Sequence, residues 1–200
     1  MKITAQMVKE LRQATGAGIL DAKKALEKTE GNFDKATDLL REKGAARAAK
    51  RVGREANEGI IKLYSHPGER MGVMLEINCE TDFVARNEQF RQLAHDLALH
   101  VAAANPKYMS PEDVPQEDIQ REVDVLKAQA LAEGKPEAIV EKIVSGRISK
   151  YYEEICLLEQ PFVKDNKVKI KTLLTEIISA MGENIKIRRF ERYELGEALD

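Results

Sequence analysis

The sequence predicts an α+β fold: a small N-terminal three-helix bundle, a linker, and a core in which an antiparallel sheet packs on helices. Three observations carry that prediction. The first 44 residues hold three short helical patterns divided by glycines. Residues 60–79 alternate apolar and polar side chains on either side of a His66-Pro67-Gly68-Glu69 turn. Several helical stretches then precede a late strand, with no strict β-α-β alternation.

In chain order, Thr4 is a suitable N-cap, Val8 and Leu11 share a stripe, and Gly16-Ala17-Gly18 breaks the first helix after Thr15. A second helix is expected from about Leu20 to Thr29, stopped by Gly31-Asn32. The third carries Phe33, Ala36, Leu39 and Leu40 and is expected to stop at Gly44. These residues form an expected module over 1–44. Residues 45–57, rich in Ala, Arg and Lys, read as a helical or flexible linker, and 58–200 as the core. Ile60–Tyr64 and Met71–Cys79 form a hairpin. A helix from near Asn87 buries Phe90, Leu93, Ala94, Leu97, Ala98 and Val101 and ends at Asn105-Pro106. Helices over about 117–133 and 136–152 follow, separated by Gly134. Another holds Leu173, Leu174, Ile177, Ile178 and Met181 before Gly182. The closing strand runs through Ile185, Ile187, Phe190 and Tyr193, with a phase shift at Arg188-Arg189 that suggests a bulge.

Composition narrows the function classes. With 200 residues, 43% hydrophobic and 33% charged, the chain has the make-up of a globular protein rich in helix. No run approaches the roughly 18 apolar residues of a membrane span. Met1-Lys2-Ile3-Thr4 lacks a signal-peptide pattern, and Cys79 and Cys156 stand far apart. A cytoplasmic location, no membrane and no disulfide are therefore expected. Residues 1–57 hold 13 Lys/Arg against 8 Asp/Glu. That excess is modest and has no interleaved aromatics, so no direct nucleic acid is expected.

Motifs for covalent chemistry are missing. There is no GxxxxGK[ST] loop and no GxSxG elbow, and Gly16-Ala17-Gly18 follows a helix rather than a strand. His66, His95 and His100 form no metal-binding pair, so neither metal nor cofactor is expected. Both cysteines read as buried structural thiols. Asn78-Cys79-Glu80-Thr81-Asp82-Phe83-Val84 is different, because an aromatic beside a carboxylate stands where a strand has ended and a helix has not begun. By position alone Phe83 is either a probe for another molecule or a plug beneath the following helix. The chain reads as a binding protein rather than an enzyme.

Several segments together resemble the elongation factor Ts family, guanine nucleotide exchange factors of elongation factor Tu. Leu11-Arg12-Gln13-Ala14-Thr15-Gly16-Ala17-Gly18-Ile19-Leu20-Asp21-Ala22-Lys23-Lys24-Ala25-Leu26 is similar to its amino-terminal signature. Asn78 to Asn87 is similar to its second. His100-Val101-Ala102-Ala103, Gly134-Lys135-Pro136 and Gln160-Pro161-Phe162-Val163 recur in family order. The match is to the compact form.

The resemblance implies a ubiquitin-associated-like N-terminal bundle that docks on a helix of the partner's nucleotide-binding domain through Gly16, Gly18, Ile19 and Leu20. It implies that Thr81, Asp82, Phe83 and Val84 disturb the partner's magnesium site, with Phe83 as a wedge. It places His100 against the partner near its phosphate-binding loop. The partner would be elongation factor Tu, GDP-bound and nucleotide-free, and GDP release would let GTP bind during translation elongation. A homodimer is a further possibility. Two other readings stay open at this point: a ubiquitin-associated adaptor, and a nucleic-acid protein using Arg47, Lys50, Arg51 and Arg54.

Overall fold

The structure is a computed structural model and describes residues 3–198. Residues 1, 2, 199 and 200, which fall within the expected end modules, lie outside the described residues. The elements are α1 (Ala5–Thr15), α2 (Ile19–Lys28), α3 (Phe33–Ala49), β1 (Glu58–Ser65), β2 (Met71–Cys79), α4 (Asp82–Ala85), α5 (Glu88–Ala104), α6 (Gln116–Ala132), α7 (Glu137–Ile155), β3 (Pro161–Phe162), β4 (Asp165–Lys169), α8 (Ile170–Met181) and β5 (Lys186–Glu194). Short 3-10 helices cover Pro111–Asp113 and Leu157–Glu159. The chain is thus α+β, as its patterns predict.

The chain divides into two compact units. The first comprises Met1–Ile60, Ile77–Arg91 and Thr172–Arg188. Here Thr4 caps α1 by accepting the Met7 N–H, and Asn32 caps α3 by accepting the Lys35 N–H. Gly16 closes α1 in the left-handed region at φ 65°, where glycine carries no Cβ penalty. Val8, Leu11, Ala22, Ala25, Leu26, Ala36 and Leu40 make one small core among α1, α2 and α3.

One expected boundary moves. α3 does not stop at Gly44 but continues to Ala49, taking the first part of the expected linker. A Cβ on Gly44 would lie 3.0 Å from Ser179 Oγ of α8. The glycine permits close helix packing and does not end the helix.

The second unit comprises Ile61–Glu76, Gln92–Lys171 and Arg189–Asp200. In it α6 packs on α7 with Leu126, Ala130, Val140 and Val144 in one shared cluster. Val114, Ile155 and Cys156 form another cluster, and β3 pairs antiparallel with β4.

The larger sheet has the order β1-β2-β5. Its first pair is a hairpin closed where the His66 N–H donates to Met71 O at 2.9 Å. Burial on β5 shifts phase near the expected position: Ile187 is buried, Arg188 and Arg189 are exposed, and Phe190 is half-buried. α5 ends where Asn105 takes φ 45° before Pro106, and Gly182 closes α8 at φ 81°.

Candidate functional site

The segment after β2 is a single helical turn, α4, rather than an irregular connection. Thr81 is its N-cap: its Oγ1 accepts the Val84 N–H at 3.4 Å, and the Ala85 N–H donates to Thr81 O. Val84 and Ala85 are buried and anchor the turn from inside. Phe83 points the other way and is 79% exposed. The plug alternative therefore does not describe this geometry.

Asp82 sits beside it with Oδ2 2.8 Å from Arg86 Nη2, an exposed pair one helical turn apart. Such a pair contributes about 0.3–0.5 kcal/mol and is easily exchanged for another partner. Beneath the turn, the Cys79 thiol donates to Thr81 O at 3.1 Å. Burial, with Glu183 nearby, pushes that thiol up to about 11, so it stays protonated and unreactive at neutral pH. Glu183, at the turn after α8, accepts hydrogen bonds from both the backbone and the hydroxyl of Thr81. No local sequence pattern points to that residue.

On the three-helix bundle, Ile19 and Leu20 open α2 and are 60% and 72% exposed. Leu20 is thus not part of the bundle's core. A cleft of about 400 Å³ beside Ile19 is lined by Ile3, Val8, Lys9, Arg12 and Lys23 among others. Gly18 is the N-cap of α2 and has no side-chain cap hydrogen bond. The bundle is also tied across helices, because Arg47 donates through both terminal nitrogens to the two oxygens of Asp21 at 3.0 Å. That bidentate pairing holds the Asp21 carboxyl below its ordinary value. Arg47, which the sequence places in the 45–57 linker, is part of the bundle's own bracing.

His100 is placed differently from the surface contact implied by the resemblance. It is wholly buried. Its Nε2 lies 2.9 Å from Gln160 Oε1, and its Nδ1 accepts the Val163 N–H at 3.3 Å. Gln160 donates in turn to Ala104 O and Glu154 O. His100 follows Leu93 by seven and Leu97 by three, so helical spacing alone puts it on the buried stripe of α5.

Burial holds the imidazole below its ordinary 6.5, and the Gln160 hydrogen bond offsets part of that. A second ring proton would face the Val163 N–H, donor against donor. The unfolded chain therefore binds this proton more readily than the folded one. The stability it confers is whole above about pH 6.5 and is lost as pH falls below it. Urea unfolding at about pH 7.5 and 5.5 should show a larger acid loss for the native chain than for His100→Asn.

Among the described residues, no group of three or more His, Cys, Asp or Glu side chains converges as a metal site would require. Among them, too, no helix is long and apolar enough to cross a membrane.

Comparison with known proteins gives one family. The family model described as Elongation factor TS matches residues 1–197. The elongation factor Ts of Carboxydothermus hydrogenoformans is 57% identical over 98% of this chain and 91% of its own length. That of Alkaliphilus oremlandii is 58% identical over 100% and 92%. That of Thermodesulfovibrio yellowstonii is 56% identical over the whole of both chains. The family model and these near-full-length relatives show that the chain belongs to the elongation factor Ts family, whose members are nucleotide exchange factors of translation elongation.

Proposed function

We propose that this chain binds elongation factor Tu with GDP, disturbs the magnesium site and promotes GDP release so that GTP can bind. The observation that carries the reading is Phe83, an aromatic left in solvent on a turn whose other apolar residues are buried. Exposure of so large an apolar side chain on an anchored scaffold is unfavourable for the free protein and suited to insertion into a partner.

Residues 1–44 act as the docking module through Ile19 and Leu20, with Gly16 and Gly18 shaping the loop that presents them. α3 carries on from that module into the 45–57 connection. Thr81 and Val84 hold the turn, Phe83 enters the partner near the bound metal, and Asp82 leaves Arg86 for the polar groups uncovered there. His100 contributes from within, by holding the Gln160–Val163 loop. No covalent bond is made or broken.

Magnitudes explain the need for two contacts. Nanomolar GDP binding corresponds to roughly 12 kcal/mol. Burying one phenylalanine contributes at most about 3 kcal/mol. Weakening nucleotide affinity by about 10⁴ needs about 5.5 kcal/mol of differential binding. Loss of metal–phosphate contacts and the second contact through the bundle supply the remainder. Coupling is reciprocal, so GTP binding must loosen the factor from its partner.

Stopped-flow release of fluorescent GDP from elongation factor Tu tests the reading. Acceleration that saturates with added chain is expected, and an unchanged rate would refute it. Binding of the chain to ubiquitin with no effect on release would favour an adaptor instead.

A further inference from the structure

We propose that Glu183 and Asn184, at the turn between α8 and β5, are positioning residues that fix the pose of the Phe83 turn. The inference rests on the reading of Phe83 given above. Glu183 Oε2 accepts the N–H of Glu80 at 3.1 Å and of Thr81 at 3.0 Å, while Oε1 accepts the Thr81 hydroxyl at 2.6 Å. The two backbone donors lie between the end of β2 and the start of α4, and the third donor is the Thr81 hydroxyl itself. A carboxylate is the strongest acceptor a side chain can offer such donors.

The hold runs in both directions. Glu80 Oε1 accepts the Asn184 N–H at 2.6 Å. The buried Asn184 amide donates to Arg54 O at 2.7 Å and Val52 O at 3.4 Å. Arg54 Nη1 lies 3.5 Å from Glu80 Oε2. The clasp therefore joins the entry of the Phe83 turn to the α8–β5 turn and to the chain leaving α3.

A turn of four residues is too short to hold itself. Val84 and Ala85 anchor one side of it, and Phe83 gains nothing from the protein's interior. Without the clasp, the backbone before Phe83 would sample many orientations, and ordering it would cost free energy at the moment of insertion. Removing the clasp should therefore act on the release step that Phe83 performs and spare docking of the bundle.

The test compares Glu183→Ala, Glu183→Gln, Phe83→Ala and the Glu183→Ala/Phe83→Ala double variant in GDP release from elongation factor Tu. Glu183→Ala should lower the maximal release rate about five- to tenfold. The concentration of chain giving half that rate should change little. Glu183→Gln should recover part of the loss, because its amide oxygen still accepts. The double variant should be no slower than Phe83→Ala alone. Hydrogen exchange at the Glu80 and Thr81 amides should speed about tenfold, with the β1–β2 amides unchanged.

Penalties that multiply in the double variant, or a Thr81 amide that stays protected, would overturn the proposal. If Phe83→Ala alone leaves release untouched, the reading of Phe83 fails, whatever the Thr81 amide does. Should Glu183→Ala fold poorly, Glu183→Gln supports the same comparisons.

Discussion

Replacing Phe83 with alanine should slow maximal GDP release from elongation factor Tu by about ten- to a hundredfold, which is up to the 3 kcal/mol one buried phenylalanine can supply. The effect should fall on the rate and not on folding. Phe83 is 79% exposed in the free chain, so its truncation opens no cavity, and the unfolding free energy should change by less than about 0.5 kcal/mol. Phe83→Leu should retain an intermediate rate, since it keeps apolar bulk without the ring. Loss of rate with unchanged stability would separate a contact residue from a structural one.

Gly59→Ala should destabilise the fold by about 3–5 kcal/mol, measured by urea unfolding. Gly59 sits in β1 at φ +146°, and a Cβ there would lie 2.2 Å from Ile77 O and 2.7 Å from Asn78 Cα. Both are backbone atoms of β2, so no side chain can rotate away and the strands must part. The Phe83 turn begins at Asp82, three residues after β2 ends at Cys79, so exchange should fail with the fold. Gly146→Ala is the matching control. Gly146 lies within α7, and a Cβ there meets nothing within 4 Å. That change should stabilise the chain by about 0.5–1 kcal/mol through helix propensity.

Local periodicity carried much of the fold. The hairpin, the buried stripe of α5 and the glycine stop of α8 are written in residues a few positions apart, and the structure has them where they were expected. Gly44 misled because a glycine that ends a helix and one that admits a neighbouring helix look alike until Ser179 is brought alongside. Phe83 is ambiguous in the sequence for a similar reason, since a plug and a probe share one local sequence. His100 could have been assigned from its spacing to Leu93 and Leu97, and the resemblance pointed away from that assignment. Glu183 could not have been found at all. It meets Thr81 across 102 positions of sequence, and no pattern within either segment announces the other.

Under the proposed function, Phe83 acts by disturbing the magnesium site of elongation factor Tu. Stopped-flow GDP release at saturating chain, with magnesium present and then chelated, tests it most directly. The native chain should outpace Phe83→Ala by about ten- to a hundredfold with magnesium, and the two should converge to within about twofold without it. An undiminished gap after chelation would mean that Phe83 acts on something other than the metal, and the proposed role would fail.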